Sequence, residues 1–196
     1  MCGMGGESQM NFSRICLFLV LGFFSACDSP TPPPSANAQT ASPAQNVPPA
    51  RPATLKEAAQ QCASSLVSGD YATFAGYCNP RLLKGMGGAD RMIASIKGGL
   101  GEGASLTKAE IGEPGPVRDL GTWKVSLVPQ TLFIKVPGGR LKAESTLLAV
   151  SEDGGGSWTF MDSAPYHHPR FADNFPELAG KLDVPARKQP VFERDS

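Results

Sequence analysis

From Thr54 onward, apolar positions recur first at helical spacing and then at strand spacing. Leu55, Ala58, Ala59, Cys62 and Leu66 fall on one face of a helix. Thr54-Leu55-Lys56-Glu57 opens it as a capping box, with the threonine oxygen taking an orphan amide and Glu57 reaching back. Gly69 is placed to end that helix in a left-handed conformation. Asp70 can cap a second short helix carrying Tyr71, Phe74 and Cys78, and Asn79-Pro80 reads as another helix start. After Gly85-Met86-Gly87-Gly88 a further helix would bury Met92, Ile93, Ile96 and Leu100, before the glycines from Gly98 to Gly103 dissolve it.

Beyond Ala104 the period turns extended. Ser105 to Ile111 predicts one strand, and Trp123 to Val136 a long one with a bulge or bend at Pro129. Gly138-Gly139 reads as a tight hairpin turn, with Arg140 to Ser151 as the returning strand. Glu152-Asp153-Gly154-Gly155-Gly156 makes the next turn, and Ser157 to Asp162 closes the sheet. Helices followed by an antiparallel meander predict an α+β domain over 54–196, N-terminal helices packed on a curved antiparallel sheet. In the tail after Pro165, Phe175 to Leu182 predicts one more helical turn and the rest reads as irregular.

The upstream pattern is different in kind. Residues 27–53 form a linker holding eight of the 18 prolines, with no charge between Asp28 and Arg51. Such a segment buries too little apolar surface to offset chain entropy and is expected to be disordered or polyproline-like. Extended at roughly 3.1 Å per residue, it could hold the domain about 75 Å from its attachment point.

The uncharged apolar run Ile15 to Phe24 follows Arg14 and is about half the roughly 20 residues a membrane span needs. A basic start, a short apolar core and small residues before a cut site predict an export signal over 1–26. Phe24-Ser25-Ala26-Cys27 resembles the lipobox of bacterial lipoproteins, with Phe24 where leucine is usual. The resemblance implies lipidation at Cys27 and a membrane partner reached through that anchor, in the extracytoplasmic cell envelope or periplasm. Asp28 resembles the signal that keeps some such proteins at the periplasmic face of the inner membrane.

Charge narrows the function classes. The chain has 18 basic and 18 acidic residues, and removing 1–26 takes one of each. A balanced composition lacks the basic footprint of a nucleic-acid binder, so no nucleic-acid partner is expected.

Three stretches of the domain carry a resemblance to the nuclear transport factor 2-like superfamily, the cone-shaped, cystatin-like roll of ketosteroid isomerases and polyketide cyclases. They are the helix end Ser68-Gly69-Asp70-Tyr71-Ala72-Thr73-Phe74, the long hairpin from Trp123 to Ser151, and the closing Asp153-Gly154-Gly155-Gly156-Ser157-Trp158-Thr159-Phe160-Met161-Asp162. The resemblance covers about Thr54 to Ser163 and implies a sheet curled around a pocket, used for catalysis in some members and for binding or assembly in others.

Isomerase-type chemistry needs an acid or base in that pocket with donors for an enolate. The catalytic candidates are Glu144, whose strand face with Lys142 and Thr146 reads as solvated, and Asp162, which could equally cap a turn. The ligand-binding candidates are Tyr71, Gln130 and Trp158, with Tyr77 on the helical side; Gln130 could instead satisfy backbone groups freed at the Pro129 bulge. His167-His168, the only histidines, are adjacent and point apart in an extended segment, so no metal site is expected. No cofactor is expected either, since the glycine-rich loops lack a phosphate-loop lysine. Cys62 and Cys78 remain as a candidate disulfide in an oxidising compartment, worth about 3 kcal/mol for a loop of this length, or as two buried thiols. The function expected is a membrane-anchored envelope protein whose domain binds a small apolar ligand or an envelope protein partner without catalysis. The alternatives are an isomerase, dehydratase or cyclase, and a structural module that forms a homodimer.

Overall fold

The computed structural model describes residues 54–195. The export signal over 1–26, Cys27, Asp28 and the linker 27–53 lie outside the described residues. The described chain is α+β. Its helices are α1 (Leu55–Ser68), α2 (Tyr71–Tyr77), α3 (Pro80–Gly85), α4 (Ala89–Leu100) and, ahead of the last strand, the short α5 (Phe171–Asn174). Its strands are β1 (Ser105–Ile111), β2 (Arg118–Asp119), β3 (Lys124–Val136), β4 (Gly139–Ser151), β5 (Thr159–Asp162) and β6 (Val191–Arg194). Among these residues they form one antiparallel sheet of six strands with the path β1-β3-β4-β5. β2 pairs with β3, and β6 with β4.

The caps follow from local chemistry. Thr54 Oγ1 accepts from the Glu57 amide at 3.1 Å, and Glu57 Oε2 accepts from the Thr54 amide at 3.0 Å. Gly69 closes α1 at φ +76°, a conformation that would strain an L side chain. Asp70 and Asn79 cap α2 and α3 through the amides of Thr73 and Arg81. Asn79 is fully buried and its own amide reaches the Phe160 carbonyl at 3.1 Å, tying the helical layer to β5. α4 runs through Gly98 and Gly99 to Leu100 instead of dissolving at the glycines, and buries Met92 while Ile93, Ile96 and Leu100 stay half-buried.

The hairpin differs from expectation in two places. Val136 pairs with Gly139, so the turn is Pro137-Gly138, one residue earlier than Gly138-Gly139. Only Gly138 has positive φ (+81°), as a turn with proline first and glycine second requires. Pro129 makes no bulge, because β3 and β4 stay in register from Lys124↔Ser151 to Val136↔Gly139. The Pro129 carbonyl accepts from the Gly112 amide at 2.9 Å, on the side where β1 has ended at Ile111. Backbone N and carbonyl of one strand residue point the same way, so the missing N–H faces Gly112 and costs the β3–β4 ladder no bond. The irregularity falls in β1 instead, between Leu106 and Lys108.

Alternation along β3 and β4 divides the sheet into two covered faces. Val128, Leu147, Ala149 and Phe160 pack against Ala58, Ala59 and Cys62 of α1 and against Tyr77. On the opposite face Val125, Leu148, Val150 and Met161 pack with Trp123, Tyr166, Phe171, Phe175, Leu178 and Val184. Most of this second layer comes from the tail that reads as irregular in sequence. Phe175 to Lys181 forms hydrogen-bonded turns, the Ala179 amide reaching the Phe175 carbonyl at 3.0 Å as in one turn of helix, while the helix at Phe171–Asn174 and the strand β6 are additional. The Tyr166 hydroxyl fastens the layer, 2.8 Å from the Leu182 amide and 3.1 Å from the carbonyls of Leu178 and Leu182. Arg81 stacks 4.7 Å over the Trp123 ring and forks onto Glu177 at 3.0 Å, joining α3 to the tail.

Candidate functional site

β4 carries two strands along one edge: β5 at Leu147–Val150 and β6 at Gly139–Lys142. Between them the edge is left to loops, and a cleft forms there, lined by Ser145, Thr146, Asp162, Ser163, Ala164, Pro185, Ala186 and Arg187. The same strand alternation that buries Leu147 puts Gln130, Ser145 and Asp162 on one face, since Gln130 pairs with Ser145 and Asp162 with Leu147. Gln130 is buried and its Nε2 donates to Ser145 Oγ at 2.8 Å. Ser145 in turn hydrogen-bonds the Asp162 carboxylate, which also accepts from the Ala164 amide at 2.7 Å.

The protein wall around Asp162 pushes its pKa above the ordinary aspartate value; the Ala164 amide, the Arg187 charge and the Ser145 hydroxyl pull it back. Part of the residue still meets solvent, so it is a carboxyl at the mouth of a cleft and not a sealed one. The cleft has room for about one water molecule. It can hold a proton and a water, and it is too small to enclose an organic substrate.

The other candidates lie elsewhere. Glu144 pairs with Lys188 at 2.8 Å and Lys142 at 3.2 Å on the outer face, and the Lys188 and Lys142 hydrogen bonds and charges hold its pKa below the ordinary glutamate value. Tyr71 is half-buried on α2 with the Lys97 ammonium 5.0 Å over its ring. Tyr77 donates to Gln61 Oε1 at 2.5 Å, and burial raises its pKa. Trp158 is half-buried against the α1 side of the core. Neither tyrosine nor Trp158 lines the cleft. The role foreseen for Gln130, satisfying a bulge at Pro129, falls with the bulge.

Cys62 and Cys78 are both buried, as free thiols in this structure. Burial pushes Cys62 far up, with a smaller contribution from Cys78, and raises Cys78 to about 12. His167 Nε2 sits 3.1 Å from the Val184 carbonyl, and its ring meets Tyr166 edge-on at 5.4 Å. Among the described residues no group of three or more histidine, cysteine, aspartate or glutamate side chains is placed to hold a metal ion. Among them also, no helix is long and apolar enough to cross a membrane.

Ser145 and Arg187 were not foreseen. Displacing the hairpin turn by one residue shifts every cross-strand partner by two, which pairs Gln130 with Leu147 and hides Ser145. Arg187 reaches the cleft from the tail, for which no strand pattern was read. The chain matches no protein-family model, no curated protein and no solved structure.

Proposed function

We propose that the chain is a lipid-anchored protein of the bacterial cell envelope, displaying a non-catalytic partner-binding domain of the nuclear transport factor 2-like kind on a proline-rich tether. The observation that carries the non-catalytic reading is the sheet, packed on both faces by the chain's own side chains, with a polar cleft that holds about one water. A protein partner fits this surface better than a small apolar ligand, because the cleft is too small to enclose one. The anchor rests on Cys27 and the apolar run before it, and Asp28 favours the periplasmic face of the inner membrane. The enzyme alternative retains one supporting observation, the raised pKa of Asp162 beside the Ser145 hydroxyl.

The test is expression of the full chain in a bacterial host fed labelled palmitate, with Cys27→Ser beside it. Label in the membrane fraction for the unsubstituted chain, lost from Cys27→Ser, is the expected result. An unlabelled, uncleaved chain in the cytoplasm would overturn the reading. Native mass spectrometry of the same material checks the partner side, where a co-purified small organic molecule would return the enzyme alternative to first place.

A further inference from the structure

β6 is held to the rest of the chain mainly along the β4 edge. The last buried residue before it is Val184, and residues 185–189 are exposed. Val191 is 57% exposed and Phe192 39%, so the strand brings no fully buried side chain to the sheet. It is attached by its ladder to Gly139–Lys142, by the Asp195 amide on the Gly138 carbonyl at 3.2 Å, by Arg140 on Glu193 at 2.5 Å, and upstream by Lys188 on Glu144. Exposed ion pairs of this kind contribute little to stability. Pro185 and Pro190 bracket the connection, and their fixed φ and the restriction on the residue before each proline bias it toward an extended path.

The edge of β4, by contrast, is shaped for this strand. A Cβ on Gly139 would lie 2.3 Å from the Glu193 carbonyl oxygen and 2.8 Å from the Phe192 ring. A glycine inside a strand marks the close approach of another backbone, and here that backbone is β6. Adding a strand to a sheet edge takes its affinity from main-chain hydrogen bonds and its specificity from the side chains that alternate along it. Here the glycine slot and the Arg140–Glu193 pair supply that specificity.

We propose that the β4 edge at Gly139–Lys142 is a strand-docking site that takes the Val191–Arg194 strand of a second copy of this chain, so that two copies exchange their C-terminal strands. Each contact made within one chain is available unchanged between two, so exchange sacrifices no interaction and needs only the connection to extend. The proposal rests on the partner-binding reading above and names the partner. Its failure leaves the Cys27 result untouched, so the two can fail separately.

The experiment uses two full chains, one carrying Arg140→Cys and the other Glu193→Cys, at positions that are register partners. They are mixed at high concentration, warmed briefly, oxidised with a glutathione disulfide buffer and run on a non-reducing denaturing gel. The unsubstituted chain and each variant alone set the background from the native cysteines. A covalent heterodimer above that background is expected, and it should be lost when Gly139→Ala is added to the Arg140→Cys chain. A double variant carrying both substitutions should crosslink within one chain when dilute and between chains when concentrated. Crosslinking confined to single chains at every concentration would overturn the exchange. No crosslink in the double variant would overturn the docking itself.

Discussion

Leu178→Ala is the sharpest test of the second layer. Leu178 lies in the tail, is fully buried, and belongs to one cluster with Trp123, Val125, Leu148, Val150 and Met161 of the sheet region. The substitution removes three carbons, or about 2.4 kcal/mol at roughly 0.8 kcal/mol per buried methylene. Incomplete collapse of the space left behind brings the expected cost to about 3 kcal/mol. A domain of this size has a total stability of about 5–15 kcal/mol, so the loss is readily measured. Urea unfolding should be followed in a Trp158→Phe background by tryptophan fluorescence, which then reports Trp123 against Phe175 at 6.4 Å, and by far-ultraviolet circular dichroism. Both signals should move together to lower urea with an unchanged slope, as for one cooperative unit. A cost below about 0.5 kcal/mol, typical of surface substitutions, would refute the argument. So would a separate early fluorescence step, because the tail would then be an accessory that peels from a finished domain.

Three further outcomes are expected. Asp162 has a raised pKa in the fold, so the folded state binds more protons than the unfolded state between the ordinary aspartate value and the raised one. Stability attributable to it is therefore full at lower pH and lost as pH rises through that window; urea melts across the window should show the decline, and Asp162→Asn should remove it. Glu144 has the opposite sign, its pKa held down first by the hydrogen bond from Lys188, and Lys188→Ala should raise it toward the ordinary glutamate value in a carboxyl NMR titration. Cys62 and Cys78 should resist a thiol reagent in the folded protein at pH 8 and react on unfolding, since burial keeps both protonated; rapid labelling of the native chain would contradict their placement.

The helical layer was legible because its signals are local. The Thr54–Glu57 box, Asp70 and Asn79-Pro80 each cap a helix through contacts two or three residues apart, and the structure contains all three. β1, β3 and β4 were legible as strands, but their register was not. Pro137 outranks Gly139 as a turn residue because its φ is already set for the first central position, and the resulting one-residue displacement changed every pairing. The candidate site shows the consequence. Asp162 was visible at the end of the closing strand and Gln130 within the hairpin, while Ser145, the group that joins them, depends on a register fixed only by the turn. Arg187 and β6 depend on contacts with residues more than 20 positions away, which local pattern does not carry.

One sequence signal did bear on the second layer. From Lys142 to Thr146 the returning strand is polar apart from Ala143 and half-buried throughout, but Leu147-Leu148-Ala149-Val150 is continuously apolar, and all four are buried. A strand covered on one face alternates; a strand covered on both reads as an unbroken apolar run. The helices can satisfy only Leu147 and Ala149, so Leu148 and Val150 require a cover of their own, and the chain after Asp162 is what remains to supply it. That requirement also bears on function. With both faces of its buried half covered by the chain's own side chains, the sheet leaves the edge of β4 as the surface on which the proposed partner binding rests. At that edge the Asp162 cleft and the β6 ladder lie side by side, both completed by the same exposed segment from Pro185 to Arg194. Lifting that segment would open the cleft and bare the Gly139–Lys142 edge together, so whatever displaces β6 also uncovers Asp162.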